Sequence, residues 1–321
     1  METDPHAEPL DSRSIDELSM IDQGTGTTVR IVPSAGMCSV SMEHGGVDRL
    51  WLPCSLEEFV KAPRTGGIPL LYPWANRLRG DGFQLATGRV DLGSIKDLKR
   101  DDSGLPIHGL LLRWNDWRIE ALKSEPEETA IAATLDWQEH EHLMSAFPVP
   151  HRLRVEWSLR GDVLEILTRI DATGECPVPI CFGWHPYLCP GGERSSLHLE
   201  APGLQGIRLD DRSLPVRDNG MLVDEESLDP SGPIGDRVFD DLYSGVRDGD
   251  EASITDGSTT VTIRFIEGYR FMQLYSPEGS RYACFEPMTA PAAALSDGAD
   301  LPWVEPGSHF TARFSVRITS S

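Results

Sequence analysis

Positive charge is scarce in this chain: 29 basic residues stand against 51 acidic ones, a net charge of −22 over 321 residues. Such a field repels phosphate backbones and anionic lipid, so neither nucleic acid nor a membrane surface is an expected partner. No stretch approaches the roughly 20 apolar residues of a membrane span. The polar, acidic N-terminus (Glu2, Asp4, Glu8, Asp11) has no apolar run behind a basic head and predicts no signal peptide. Cysteine is sparse as well. Cys38, Cys54, Cys176, Cys181, Cys189 and Cys284 form no C-x-x-C pair, a usage that predicts reduced thiols in a cytoplasmic protein rather than a disulfide framework. Neither G-x-G-x-x-G nor G-x-x-x-x-G-K-[ST] occurs, which leaves dinucleotide and nucleotide cradles without support, and no G-x-S-x-G elbow marks a serine hydrolase. His140-Glu141-His142 has a metal-like look. Without a recognisable tetrahedral set nearby it reads as alternating charge on an exposed connection, so no metal and no cofactor is expected.

What the chain has in quantity is alternation. Leu153, Val155, Trp157 and Leu159 face one way, with Arg152, Arg154, Glu156 and Ser158 opposite. Val261, Ile263 and Phe265 repeat the pattern against Thr262 and Arg264, as do Phe314, Val316 and Ile318 against Arg313, Ser315 and Arg317. Val163 to Ile170 and Phe271 to Tyr275 are more apolar and read as more deeply buried strands. Thirty glycines and 24 prolines punctuate these runs, and no long window keeps apolar residues at helical spacing. The pattern predicts an all-β sandwich or barrel with few short helices. Residues 1–22 lack strong periodicity and read as a poorly ordered tail. Residues 23–321 read as a single domain, with the acidic stretch Gly203 to Asp250 an elaborated connection inside it.

Four islands carry groups suited to proton transfer and hydroxyl binding. His185 lies among rings and prolines in Gly183-Trp184-His185-Pro186-Tyr187; imidazole titrates near neutrality and can donate a proton, and a ring such as Trp184 can support the apolar face of a sugar. His108 precedes Gly109, where the backbone can bend sharply. Glu286 sits in the apolar run Ala283-Cys284-Phe285-Glu286-Pro287-Met288, where burial raises a carboxyl pKa toward the range of a general base. Arg77 and Asn76, in Pro73-Trp74-Ala75-Asn76-Arg77, offer a guanidinium and an amide for hydroxyls. Each also has a structural reading: a packed core histidine, a turn histidine, a paired buried carboxylate, a buried Arg–Asp pair. Asp240 and Asp241, ahead of Tyr243, either cap a turn or put one carboxylate in the site.

In this order the islands resemble the aldose 1-epimerase (mutarotase) family. The matching stretches are Gly67-Ile68-Pro69, Pro73 to Arg77, His108-Gly109, Gly183 to Tyr187, Asp240-Asp241-Leu242-Tyr243, Glu286-Pro287-Met288-Thr289 and Pro306-Gly307. The resemblance implies a galactose mutarotase-like β-sandwich, or supersandwich, of antiparallel strands. It implies Glu286 as the base that takes the anomeric hydroxyl proton, His185 as the acid at the ring oxygen, and His108 assisting there. Arg77 and Asp240 would bind sugar hydroxyls, with Asn76 placing the arginine. One motif departs: the galactose branch carries N-x-T-x-H, whereas this chain has Ile180-Cys181-Phe182-Gly183-Trp184-His185, more like a shorter branch that includes hexose-phosphate epimerases. The expected activity is therefore cofactor-independent anomer interconversion of an unphosphorylated hexose, by a monomer or homodimer. The alternatives are a hexose-6-phosphate 1-epimerase, with Arg79, Lys96, Lys99 and Arg100 as candidate cations, and a non-catalytic carbohydrate-binding sandwich.

Overall fold

The computed structural model describes residues 15–125 and 128–320. Antiparallel strands dominate. The largest sheet has nine, in the order Gly232–Pro233, His198–Glu200, Glu251–Thr255, Thr259–Glu267, His309–Ser320, Val163–Ala172, His151–Arg160, Glu128–Asp136 and Arg118–Glu125. Its centre is the alternating sequence of the preceding section: Leu153, Val155, Trp157 and Leu159 are fully buried, as are Phe314 and Val316. The strand Val163–Ala172, expected to be more deeply buried than these, instead alternates as they do, with Leu164, Ile166 and Ile170 inward and Glu165 and Arg169 half-exposed. Its outer face is half-exposed, and Glu165 and Arg169 pair there with Arg313 and Asp171.

A six-stranded sheet packs against the inner face of this one. Its order is Gln205–Ile207, Phe239–Ser244, Phe271–Ser276, Cys284–Met288, Gly183–Trp184 and Leu70–Leu71. Trp184 fixes the contact between the layers: its ring lies 6.2 Å from that of Trp157 and 5.9 Å from that of Phe314. Tyr243, Met272, Leu274 and Phe285 enter the same core, so one apolar cluster runs from Met20 to Ile318. The fold is thus mostly β, with three short α-helices among the described residues.

A four-stranded sheet comes from the N-terminal part and includes Leu18–Ile21, paired with Thr28–Val32. This corrects part of the expected tail. Residues 1–14 lie outside the described residues, but Leu18–Ile21 is a strand whose Met20 is fully buried in the main core. Four residues are too few for alternation to register in the sequence, and the pairing partner supplies the order.

Candidate active site

The six-stranded sheet has a second face, and the period of two decides what stands on it. Asp240 pairs in register with Tyr275, and Gln273 with Glu286. The residues between them, Leu274 and Phe285, turn into the core. Asp240, Gln273, Tyr275 and Glu286 therefore share the outward face. His185 follows Trp184 and takes the side opposite to it. Loops close over this face and form a cavity of about 300 Å³, lined at its base by His108, His185 and Glu286. Small-molecule sites begin at about this size.

Two loop segments complete the floor. Residues 76–78 run antiparallel to 106–108, with His108 N–H donating to the Asn76 carbonyl at 3.0 Å and Leu78 N–H to Pro106 at 2.8 Å. Asn76 and His108 both adopt left-handed backbone angles, φ 54° and 64°. Such conformations cost about 1–3 kcal/mol each and are retained where a site needs the side chain aimed. Gly109 follows at φ +69°, where a Cβ would stand 2.1 Å from the Tyr72 carbonyl oxygen; only glycine lets the His108 loop lie that close to the sheet.

His185 and Glu286 touch. Nε2 of His185 lies 3.1 Å from Oε1 of Glu286 and 3.3 Å from the Tyr187 hydroxyl. The Tyr187 ring stacks on the imidazole, centroids 4.4 Å apart and planes 3° from parallel, and its hydroxyl is 2.6 Å from Thr65 Oγ1. His108 meets His185 edge-on at 5.6 Å. All three ionisable groups are buried, yet His108 Nδ1, His185 Nδ1 and Glu286 Oε2 have no hydrogen-bond partner among the described residues. Unsatisfied buried polar atoms are costly, and three together at the base of one cavity fit hydroxyls that arrive with a ligand.

Burial also sets the protonation. It pushes the His185 imidazole down from 6.5 to about 3, while Lys99 repels the charged form further. It lowers His108 well below the ordinary histidine value, with His185, Lys99 and Arg77 adding repulsion. It raises Glu286 well above 4.5, with Asp240 adding to the rise and Arg77 opposing it. A contact pair of this kind holds one proton between its two members. A second proton is resisted by the depressed histidine, and loss of the first by the raised carboxyl.

Arg77 is gripped on three sides. Nε donates to Asp101 Oδ2 at 2.7 Å, Nη1 to Asn76 Oδ1 at 3.1 Å, and Nη2 lies 3.5 Å from Asp240 Oδ2. Asp240 also accepts from Gln273 Nε2 at 2.7 Å. Gln273 stands behind the lining, and Glu286, His185, His108, Arg77, Asn76 and Asp240 all meet in the cavity. Asp241 turns to the other face of its strand, where burial and then Asp240 raise it to about 6.

Trp184 corrects the expectation. It is fully buried between the two sheets, its indole Nε1 donates to Thr168 Oγ1 at 3.1 Å, and it does not line the cavity. Strand alternation forbids adjacent Trp184 and His185 from sharing a face. The aromatic walls are Tyr187 and Tyr275 instead. Sequence reasoning assigned no role to Thr65, Tyr187, Asp101, Gln273 or Tyr275. Tyr187 was within reach, since it stands two residues from His185 and so on the same face of an extended segment. Of the four candidate cations, Lys99 and Arg100 line the cavity, Arg79 is bound to Asp297 at 2.7 Å, and Lys96 lies outside it. A larger groove of about 510 Å³ lies along the solvent face of the nine-stranded sheet, but it brings together no histidine and no buried carboxyl.

Comparison with known proteins agrees with this fold. The profile of the aldose 1-epimerase family matches residues 21–317. The uncharacterized protein YihR of Escherichia coli (strain K12) is 26% identical over 253 residues, 77% of each chain. Among solved structures, the Slr1438 protein of Synechocystis sp. PCC 6803 superimposes with a TM-score of 0.77 at 22% identity, covering 95% of this chain and 96% of that one. A galactose mutarotase-like protein from Clostridium acetobutylicum gives 0.77 at 17% identity, with 96% and 99% covered.

Proposed function

The chain belongs to the aldose 1-epimerase family, and from that premise we propose that it is a cofactor-independent mutarotase, interconverting the α and β anomers of a hexopyranose within one β-sandwich domain. The observation that carries the reading is the buried contact of Glu286 with His185, beside His108, at the base of a cavity. Opening the ring requires a proton removed from O1 and one delivered to O5. With the proton of the pair moved onto His185, the ionised Glu286 takes the first and the imidazolium gives the second, with His108 beside it at the ring oxygen; the pair then keeps its one proton on Glu286, the member that burial favours. The C1–O5 bond breaks, the aldehyde turns about C1–C2, and the same groups in reversed roles close the ring on the other face. O1 and O5 hang on the same carbon, so an acid and a base side by side serve both. Partners on opposite sides of the ring are not required.

The one-proton pair suits this exchange, since the site returns to its starting protonation after every turnover. Each positioned proton transfer is worth about two to four orders of magnitude. Arg77 and Asp240 hold ring hydroxyls, with Asn76 fixing the guanidinium. Six free cysteines support a reducing, cytoplasmic location. Two-dimensional exchange NMR of anomers over a panel of sugars tests the reading. Faster exchange for at least one sugar, abolished in Glu286→Gln, is the expected result; undiminished exchange by that variant removes the base. Saturable sugar binding with no faster exchange points instead to a non-catalytic module.

A further inference from the structure

The Tyr187 hydroxyl stands at the contact of His185 with Glu286 and has a partner of its own. Thr65 Oγ1 lies 2.6 Å from it, and His185 Nε2 lies 3.3 Å from it. The segment that carries Thr65 is fastened to the strand ends around it. Gly67 N–H donates to the Trp51 carbonyl at 2.8 Å, Tyr187 N–H to the Gly67 carbonyl at 2.8 Å, and Trp51 N–H to the Tyr187 carbonyl at 3.0 Å. Gly67 takes φ +65°, and a Cβ there would meet the Ser39 carbonyl oxygen at 2.3 Å, so only glycine lets this segment lie so close. The Tyr187 ring stacks on those of both His185, at 4.4 Å, and Trp51, at 5.5 Å. Thr65 lines the cavity and is held against the one phenol that touches the acid/base pair.

Counting protons fixes the direction of these bonds. Burial holds the Tyr187 phenol well above its ordinary value of 10, so it stays protonated and brings one hydrogen to two neighbours. His185 Nε2 offers one lone pair at most, and Glu286 Oε1 lies closer to it, at 3.1 Å. With the proton of the pair on Glu286, that lone pair accepts from the carboxyl. With the proton on His185, Nε2 is itself a donor. In neither state is Nε2 open to the phenol hydrogen, which therefore goes to Thr65 Oγ1. The lone pairs of the phenol oxygen are left facing Nε2. They give nothing to an unprotonated nitrogen and accept from a protonated one, and a hydrogen bond from a charged donor is roughly twice as strong as a neutral one.

We propose that Thr65 is a positioning residue: by taking the phenol hydrogen it keeps the Tyr187 oxygen an acceptor toward His185 Nε2, and so draws the shared proton from Glu286 onto the imidazole before the sugar ring opens. The step lies within the pair. The Glu286 O–H bond breaks as the His185 N–H bond forms, and no other proton moves. The kinetic consequence rests on the mutarotase reading of the cavity; the direction of the hydrogen bonds does not.

Anomer exchange by NMR is measured for Thr65→Val, Thr65→Ser, Tyr187→Phe and the double variant Thr65→Val/Tyr187→Phe, with whichever of glucose and galactose the wild type exchanges faster. Thr65→Val is expected to lower kcat about fivefold with KM little changed, and Thr65→Ser, which keeps the hydroxyl, to stay within about twofold of wild type. Because Thr65 acts through the phenol, the double variant should match Tyr187→Phe to within about twofold instead of multiplying the two losses. An unchanged kcat in Thr65→Val, multiplied losses in the double variant, or a raised KM with kcat kept overturns the proposal. The hydrogen-bond direction is read without substrate, by 15N NMR of protein labelled at histidine. The His185 Nε2 resonance is expected to move toward the unprotonated value in both Thr65→Val and Tyr187→Phe. Movement toward the protonated value in Tyr187→Phe means that the phenol donates to Nε2, and that result, or no movement in either variant, overturns the proposal as well. Should neither sugar exchange faster than its spontaneous rate, the mutarotase reading fails by itself, and the resonance alone decides whether Thr65 places the proton.

Discussion

On the strand Cys284–Met288, Phe285 turns into the core while Glu286, its neighbour, turns into the cavity. The same split divides Leu274 from Gln273 and Tyr275, and Trp184 from His185. The two faces of the six-stranded sheet share one ladder of backbone hydrogen bonds, and they differ in what burial does. Inward, burial stabilises the fold through apolar area. Outward, it desolvates ionisable groups and sets their proton affinities. Rigidity is common to both, so each side chain of the site is held by a register that the core enforces.

If this division is right, substitutions one residue apart give different kinds of damage. Glu286→Gln is expected to lower anomer exchange by several hundred-fold or more, with a melting transition close to that of wild type, because the amide keeps the size and loses only the proton acceptor. Full exchange by this variant breaks the comparison on the outer side. Trp184→Ala is expected to cost about 3–5 kcal/mol of stability, read by denaturant unfolding, because the indole fills the space between Trp157 and Phe314. Its folded fraction should still turn over sugar. A stable Trp184→Ala protein with a raised KM would return the indole to the cavity and break the comparison on the inner side.

How much of this was readable in advance follows the same division. The core strands announced themselves, since Leu153 to Leu159 and Phe314 to Ile318 alternate over enough residues for a period to be visible. Glu286, His185 and His108 stood out because ionisable groups in apolar or glycine-flanked settings need a reason. Trp184 misled because type was weighed without parity: an aromatic beside a catalytic histidine looks like a floor for sugar until the strand assigns the two to opposite faces. Gln273 was silent, since a glutamine in a strand gives no signal until its register partner is known to be Glu286. Lys96 and Lys99 were visible as charges. That neither makes an ion pair among the described residues depends on how distant segments fold, which no local pattern encodes.

A smaller effect sharpens the outer side. Tyr187→Phe keeps the ring stacked on His185 and removes only the hydroxyl 3.3 Å from Nε2. A loss of about tenfold in kcat/KM is expected, on the order of one modest hydrogen bond, with stability little changed. Tyr187→Leu, which also removes the stacked ring, should lose more. Equal activity of Tyr187→Phe and wild type would make the tyrosine packing alone.

The last test asks for the absence of an effect. A catalytic histidine titrating in water would give an inflection in kcat/KM near pH 6.5. Here the active form holds one proton on the His185–Glu286 pair. On the acid side it is lost only when a second proton binds, and burial lowers His185 to about 3, so that limb moves down, well below 6.5. On the alkaline side it is lost when the remaining proton leaves, and burial raises Glu286 well above 4.5, so that limb moves up. The two shifts have opposite signs and widen the plateau. The profile of kcat/KM for a neutral sugar, corrected for the spontaneous rate at each pH, should therefore show no limb at the ordinary histidine value of 6.5. A bell centred near neutrality, with limbs at the ordinary histidine and carboxylate values, would mean that the outer face is solvated during turnover and that burial does not tune the pair.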